Sequence, residues 1–400
     1  MSDALQVREL GPHDAAASKQ LGREAFGHSG DVPPVPENWP DAGDHVVGAF
    51  VGNELIGKVV GRDYATHFAE VEVKTWGIAG VTVRAEDRGR GALTGLFEAT
   101  FAAARGCGAA ISTLFPTAPR IYRKFGYELV GAFDHIELPT ATVAGMTVPP
   151  GISVHRATAA DIPEVRACYA RWASRQHGPL TRTGPSFTTT DAELAAEFTG
   201  ITLVRDAHGA IVGYASWDRG EGYDQTATLA VWDLIALTPA AAQALWAVVG
   251  SFSSVTGQIR LQTSGDDTVR LVLPVAAWTL VSSTPYMLTV LDVAAAFSAR
   301  VAPAVVTTTL EFAVAGHFLA DQDGSYSLRV GAGELDCQRT DIGGPGVRTC
   351  TPQGLALTFA GTQSSANLRM SGHLHGGDAA DDAAWDAVFG GRQFHVRDYF

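Results

Sequence analysis

Hydrophobic and polar positions fall along the chain in an order that occurs twice. Near the start, Val7-Arg8-Glu9-Leu10 reads as a short strand, Gly11-Pro12-His13-Asp14 interrupts it, and apolar positions return at helical spacing through Leu21, Ala25 and Phe26. Val154-His155-Arg156 leads in the same way, through Ala157-Thr158-Ala159-Ala160-Asp161, into apolar positions at Val165, Cys168 and Trp172. A hairpin pattern follows each time, over 45–61 turning at Gly52-Asn53 and over 201–217 turning near His208-Gly209. Each copy then offers an apolar strand that hands over to a helix, 77–83 in the first and 231–237 in the second. The pattern predicts a duplicated α/β unit with mixed sheets, its copies meeting at Pro149-Pro150-Gly151.

From residue 291 the texture changes. Segments 306–318 and 324–340 alternate at period two, and helix-like stretches at 291–301 and 381–390 flank them. This predicts a smaller α+β domain with an antiparallel sheet. The expected division is 1–148, 149–290 and 291–400, which suits a chain of 400 residues that exceeds the reach of one core.

Composition narrows the class of protein. Hydrophobic residues make up 46% and charged residues 18%, enough apolar content to fill such cores. The formal charge of −13 argues against a nucleic-acid partner and leans towards cationic ligands. No apolar run approaches the roughly 18–20 residues of a membrane span, and MSDALQVREL lacks the pattern of a secretory signal, so a cytoplasmic protein is expected. Cys107, Cys168, Cys337 and Cys350 are scattered and read as reduced thiols, although Cys337 and Cys350 could pair. His373-Leu374-His375 has a spacing that can bind metal but lacks a third ligand, so no metal is expected.

The candidate chemistry sits where the first copy's strand becomes a helix, VTVRAEDRGRGALTG at 81–95. A helix N-terminus offers unpaired amides, glycine admits an anion close to them, and arginine adds cationic forks. An ordinary turn would also accept this composition. The second copy shows what a turn alone requires, because Ala236-Leu237-Thr238-Pro239 there has a capping threonine and no glycine or arginine. The first copy therefore carries a surplus that suits a bound anion.

Arg88-Gly89-Arg90-Gly91-Ala92-Leu93 resembles the acetyl-CoA pyrophosphate loop of GNAT acyltransferases, with Leu93 departing from the small residue usual there. Ile121-Tyr122-Arg123-Lys124-Phe125-Gly126-Tyr127 resembles the Tyr-x-x-x-Gly-aromatic segment of the same superfamily. With the domain order and a terminal aromatic residue, the whole chain resembles the Eis N-acetyltransferases, whose third domain is sterol-carrier-like. The resemblance implies tandem GNAT-like domains, the second degenerate, and acetyl transfer from acetyl-CoA to amines of cationic acceptors such as aminoglycosides or lysine side chains.

Site roles follow from the same resemblance. Val81 and Val83 would pair with the pantetheine arm, and Arg88, Gly89, Arg90, Gly91 and Ala92 would cradle the pyrophosphate. Tyr122 would be the general acid, while Tyr127 packs. The α-carboxylate of Phe400 would orient the ammonium and relay its proton. Phe26, His28, Trp39, Asp398 and Tyr399 would face the acceptor, with Glu37, Asp41 and Asp44 nearby. His28, Gly80 and Tyr399 depart from the family's lining, which points to an altered set of amines. Trp76 reads as a core residue. A homo-oligomer, a hexamer by resemblance, is expected. A lipid- or partner-binding protein with vestigial GNAT units is the alternative.

Overall fold

The computed structural model describes residues 4–27, 34–341 and 346–400. The first unit runs β1 (Leu5–Glu9), α1 (Ala15–Phe26), β2 (Asp44–Val51), β3 (Glu54–Phe68), β4 (Val71–Val83), α2 (Ala92–Gly106), β5 (Ile111–Leu114), α3 (Pro119–Arg123) and β6 (Glu128–Pro139). The second repeats the theme with β7 (Ser153–Arg156), α4 (Ile162–Ala173), β8 (His177–Leu180), α5 (Asp191–Glu197), β9 (Gly200–Arg205), β10 (Ile211–Arg219), β11 (Thr228–Ala236), α6 (Pro239–Gly250), β12 (Gln258–Thr263) and β13 (Thr279–Val290). Both hairpins turn where the sequence places them, and Gly52 and Gly209 supply the positive φ that each turn requires.

The two units share one sheet, in the order β1-β2-β3-β4-β5-β13-β6-β12-β11-β10-β9-β7, with β8 set against β3. β13 belongs to the second unit by sequence but lies inside the first unit's sheet. It pairs Met287 with Leu114 of β5 and Leu288 with Glu128 of β6. β6 in turn extends to β12, where Ile136 faces Leu261. Each unit thus completes the other, and the apolar residues Met287, Leu288 and Val290 are fully buried at the join. Burial of each such side chain contributes about 1.5–3 kcal/mol.

α2 lays Leu96, Phe97 and Phe101 on the first unit's sheet against Trp76, Ile78 and Tyr127. Trp76 Nε1 donates to Thr100 Oγ1 at 2.9 Å, so this tryptophan is a core residue as expected. The third part adds α7 (Val293–Ser298), β14 (Thr308–Val314), β15 (Gly324–Gly331), β16 (Glu334–Thr340), β17 (Thr349–Cys350), α8 (Pro352–Ala360), α9 (Ser365–Met370), β18 (Leu374–His375) and α10 (Ala379–Phe389). Its sheet has the order β16-β15-β14-β17-β18, and Phe297, Phe312, Phe359 and Trp385 fill its interior.

After α10 the chain returns to the large sheet. His395 N donates to His177 O at 2.7 Å, Val396 N to Ser264 Oγ at 3.0 Å, and Gln262 Nε2 to Arg397 O at 2.6 Å. Arg397 is buried in an ion pair with Asp267. Residues 395–397 are therefore anchored by the second unit.

All four cysteines are free, including Cys337 and Cys350. Among the described residues no cluster of three or more potential metal ligands occurs, and His373 Nδ1 bonds Thr351 Oγ1 at 2.9 Å. No described helix is long and apolar enough to cross a membrane.

Candidate active site

β4 carries one more residue than its partner β3: Lys58 faces Thr82 and Val60 faces Ala79, with Gly80 at φ +56° in the bulge. On its other side, β4 pairs with β5 only as far as Ile78 opposite Leu114. Beyond that point the strands separate and leave a notch beside Val81 and Val83, both half-buried.

The segment that follows leads from this notch to α2. Gly89 and Gly91 have φ of +82° and +85°, and a Cβ on either would touch nothing within 4 Å, so backbone conformation selects glycine here. Gly91 caps α2 without a side-chain acceptor, and with the Thr94 and Gly95 amides bonded to the Gly91 carbonyl the Ala92 and Leu93 amides are left for an outside partner. Buried Asp87 braces the loop by pairing with Arg84 at 2.6 Å and Arg90 at 3.1 Å. Arg88 is exposed and Ala92 is buried. The equivalent helix α6 is capped conventionally, Thr238 Oγ1 accepting from Ala241 N at 3.1 Å with Pro239 in the first turn. The contrast drawn from the sequence holds in three dimensions.

The two candidate catalytic residues approach the notch from opposite faces of the sheet. Trp76 and Ile78 point towards α2, in the same apolar cluster as Tyr122, Leu114, Val81 and Val83. Gly77 faces the other way, and a Cβ there would come within 3.0 Å of the Phe400 ring. Tyr122 is buried, which raises its pKa above the ordinary 10, with a side-chain hydrogen bond to Thr117 opposing the shift. Tyr127 is a core residue, its hydroxyl 2.6 Å from Ser112 Oγ. Phe400 packs with ring centroids 5.0 Å from Tyr64 and 5.4 Å from Phe115.

On the Phe400 face lies a cavity of about 630 Å³, lined by Asp398, Tyr399 and Phe400, by Arg62 and Tyr64 of β3, and largely by the second unit. That unit contributes Tyr169 of α4, Arg182, Phe187, Tyr214 of β10 and Asp233 of β11. Arg182 is the centre of this wall. It holds Asp233 at 2.5 Å and Asp398 at 2.8 Å, and stacks over the Tyr169 ring at 3.9 Å. Its φ is +55°, a strained conformation for a non-glycine residue. Burial raises the Asp398 pKa, against the pull of Arg182. Burial also works to raise Asp233, but there Arg182 prevails and the pKa falls.

Of the residues expected to face the acceptor, Asp398 and Tyr399 line the cavity, as does Phe400, the expected catalytic terminus. Phe26 and Trp39 do not: Phe26 is 51% exposed at the end of α1, and Trp39 packs on Leu10, Val46 and Phe50. His28 lies outside the described residues. Glu37 and Asp41 are exposed, whereas Asp44 reaches Arg62 of the lining at 3.2 Å, with its pKa raised by burial. Tyr122 and the 88–92 loop lie beyond the cavity wall, on the notch side. Tyr64 of β3 and Tyr169 of α4 escaped sequence reading because ordinary core strands and helices carry the same pattern, and Phe187 because it stands in a loop without one.

An acetyltransferase (GNAT) domain family matches residues 6–130, a second acetyltransferase (GNAT) domain family matches 178–296, and a sterol carrier protein domain family matches 293–396. An uncharacterised N-acetyltransferase of Streptomyces avermitilis is 29% identical over 323 residues, 74% of each chain. A GCN5-related N-acetyltransferase structure from Kribbella flavida is 27% identical, with a TM-score of 0.84 over 100% of this chain and 99% of that one. Eis1 from Mycobacterium abscessus shares the fold at 20% identity, with a TM-score of 0.79 over 99% of this chain and all of that one.

Proposed function

We propose that the chain, with its two GNAT acetyltransferase domains and its sterol-carrier-like domain, is an Eis-like N-acetyltransferase that carries acetyl from acetyl-CoA to a primary amine held beside Phe400. The observation that carries this reading is the notch between β4 and β5, with Tyr122 on one face of the sheet and Phe400 on the other. A donor entering from the α2 side and an acceptor entering from the cavity would meet there.

The residues fit acetyl-CoA. The uncapped start of α2, with Gly89, Gly91, Ala92 and the guanidinium groups of Arg88 and Arg90, would hold the pyrophosphate. The unpaired edge at Val81 and Val83 would align the pantetheine arm. Bound acetyl-CoA supplies a thioester carbonyl for the amine to attack. Tyr122, whose burial keeps its hydroxyl protonated at neutral pH, would hold the proton due to the departing sulfur.

An α-carboxyl has a reference pKa of roughly 3.3–3.7, and in its ionised form the carboxylate at Phe400 would orient the ammonium and relay its proton. Aminoglycosides and lysine side chains are the acceptors that the resemblance offers, and a cytoplasmic homohexamer is the assembly it offers. The test is direct. Acetyl-CoA should raise the melting temperature, and an amine panel should release free thiol with one acetyl added per turnover by mass. Absence of thiol release with every amine would leave the non-catalytic alternative.

A further inference from the structure

We propose that the opening between β11 and β12 is the receptor for the chain's own tail, and that Arg397, seated in it, positions the carboxylate of Phe400; the use of that carboxylate rests on the acetyltransferase reading. The second unit repeats the splay of the first. β11 pairs with β12 only as far as Val231 opposite Leu261, while β11 itself continues to Ala236. Trp232 is the extra residue of a bulge there, between Val231 opposite Trp217 and Asp233 opposite Ser216. In the first unit the matching notch leads to the uncapped start of α2. Here α6 is capped by Thr238, in place of a glycine-arginine loop.

The freed edge of β12 has a different occupant. Gln258 N donates to Ala227 O, directly before β11, and alternate residues of a strand face the same way. Gln262 therefore presents its carbonyl to the gap that β11 has left. Arg397 fills that place, its Nη1 donating to Gln262 O at 3.1 Å. The grip extends to the tail's backbone, with Gln262 Nε2 donating to Arg397 O at 2.6 Å and Val396 N to Ser264 Oγ at 3.0 Å. Asp267 holds the guanidinium in an ion pair whose side chains are both 1% exposed, and the Trp172 ring of α4 lies 4.9 Å from it.

Stability alone does not call for these groups. A buried ion pair is often matched or bettered by apolar residues of the same volume, because both charges lose water. What this set supplies is register. Its directional contacts fix Val396 and Arg397 in one place, and Phe400 follows three residues on. An apolar plug would fill the gap and leave the tail free to slide. The second unit, without a loop for a pyrophosphate, thus holds the segment that serves the first.

The experiment uses the full chain. R397M/D267N removes both charges together, so that no buried ion is left alone, and Q262M removes only the donor to the tail's backbone. Carboxypeptidase A, which removes C-terminal aromatic residues, reads the tail directly, and turnover is followed as thiol release from acetyl-CoA with kanamycin. Both variants should keep the acetyl-CoA thermal shift and release Phe400 at least about tenfold faster than the native chain. Their kcat should fall at least about tenfold with KM for acetyl-CoA unchanged, and R397K should recover part of each loss. Should R397M/D267N fail to fold, Q262M decides. Release of Phe400 at the native rate overturns the inference. Faster release with a native kcat upholds the receptor and removes the terminal carboxylate from the chemistry. The digestion requires no acceptor, so it decides the inference even where kanamycin is not acetylated.

Discussion

Arg182 donates from Nε to Asp398 at 2.8 Å, and through this contact the second unit grips the chain two residues before its end. The same guanidinium is held by Asp233 from the floor of β11, so the grip is referred to the sheet. Replacing Arg182 with Gln frees two carboxylates and loosens the tail. A displacement of about 1 Å at a reacting group costs about 10²-fold in rate. R182Q should therefore lower kcat by roughly ten- to hundredfold while leaving the acetyl-CoA thermal shift in place, with R182K recovering part of the loss. An unchanged kcat in R182Q would show that the tail is positioned by other contacts.

At the opposite face, Tyr122→Phe removes one oxygen and keeps the ring against Phe97 and Tyr127. General-acid catalysis contributes about 10²–10⁴-fold, so kcat should fall by a factor in that range with little change in melting temperature. Full activity in Y122F assigns the proton to another donor.

Gly91 stands at φ +85°, where any L-residue is strained, and its missing Cβ keeps the start of α2 open. G91A should weaken acetyl-CoA binding by about tenfold or more, since each helix-terminus contact is worth ~0.3–2 kcal/mol and several act together. R88Q/R90Q should weaken it too and flatten its dependence on ionic strength. A salt dependence equal to that of the native chain would place the pyrophosphate elsewhere.

The anchored tail also sets a dependence on pH. Burial, with Arg397 adjacent, lowers the His395 pKa to about 4, and burial, with Arg300 adjacent, lowers that of His177 to about 2. Both are neutral in the folded chain at pH 5, while in the unfolded chain each takes up a proton near 6.5. Stability is thus fully present above pH 6.5 and declines as pH falls towards 4, by up to about 1.4 kcal/mol per pH unit for each histidine. The melting temperature of H395N, followed between pH 7 and 4.5, should fall less steeply than that of the native chain.

Much of this was legible in sequence. The hairpins at Gly52 and Gly209, the uncapped Gly91 against Thr238 and the buried Trp76 and Tyr127 are all local matters of turn chemistry, capping and period. The insertion of β13 was not legible, because an apolar strand with Met287, Leu288 and Val290 pairs equally well with any open edge. Nor was the wall built around Arg182. Nothing in Leu180-Thr181-Arg182-Thr183-Gly184 marks a strained arginine, and its partners Asp233 and Asp398 lie 51 and 216 residues away. Long-range closure placed them together, and no local pattern encodes it.

The proposed role of the Phe400 carboxylate in the chemistry is open to a single added residue. With one alanine placed after Phe400, the notch, the loop and Tyr122 are untouched, while the carboxylate moves by up to ~3.6 Å. This protein should melt as the native one does, be stabilised by acetyl-CoA, and turn over an amine substrate at least about 10²-fold more slowly. Turnover at the native rate would contradict it.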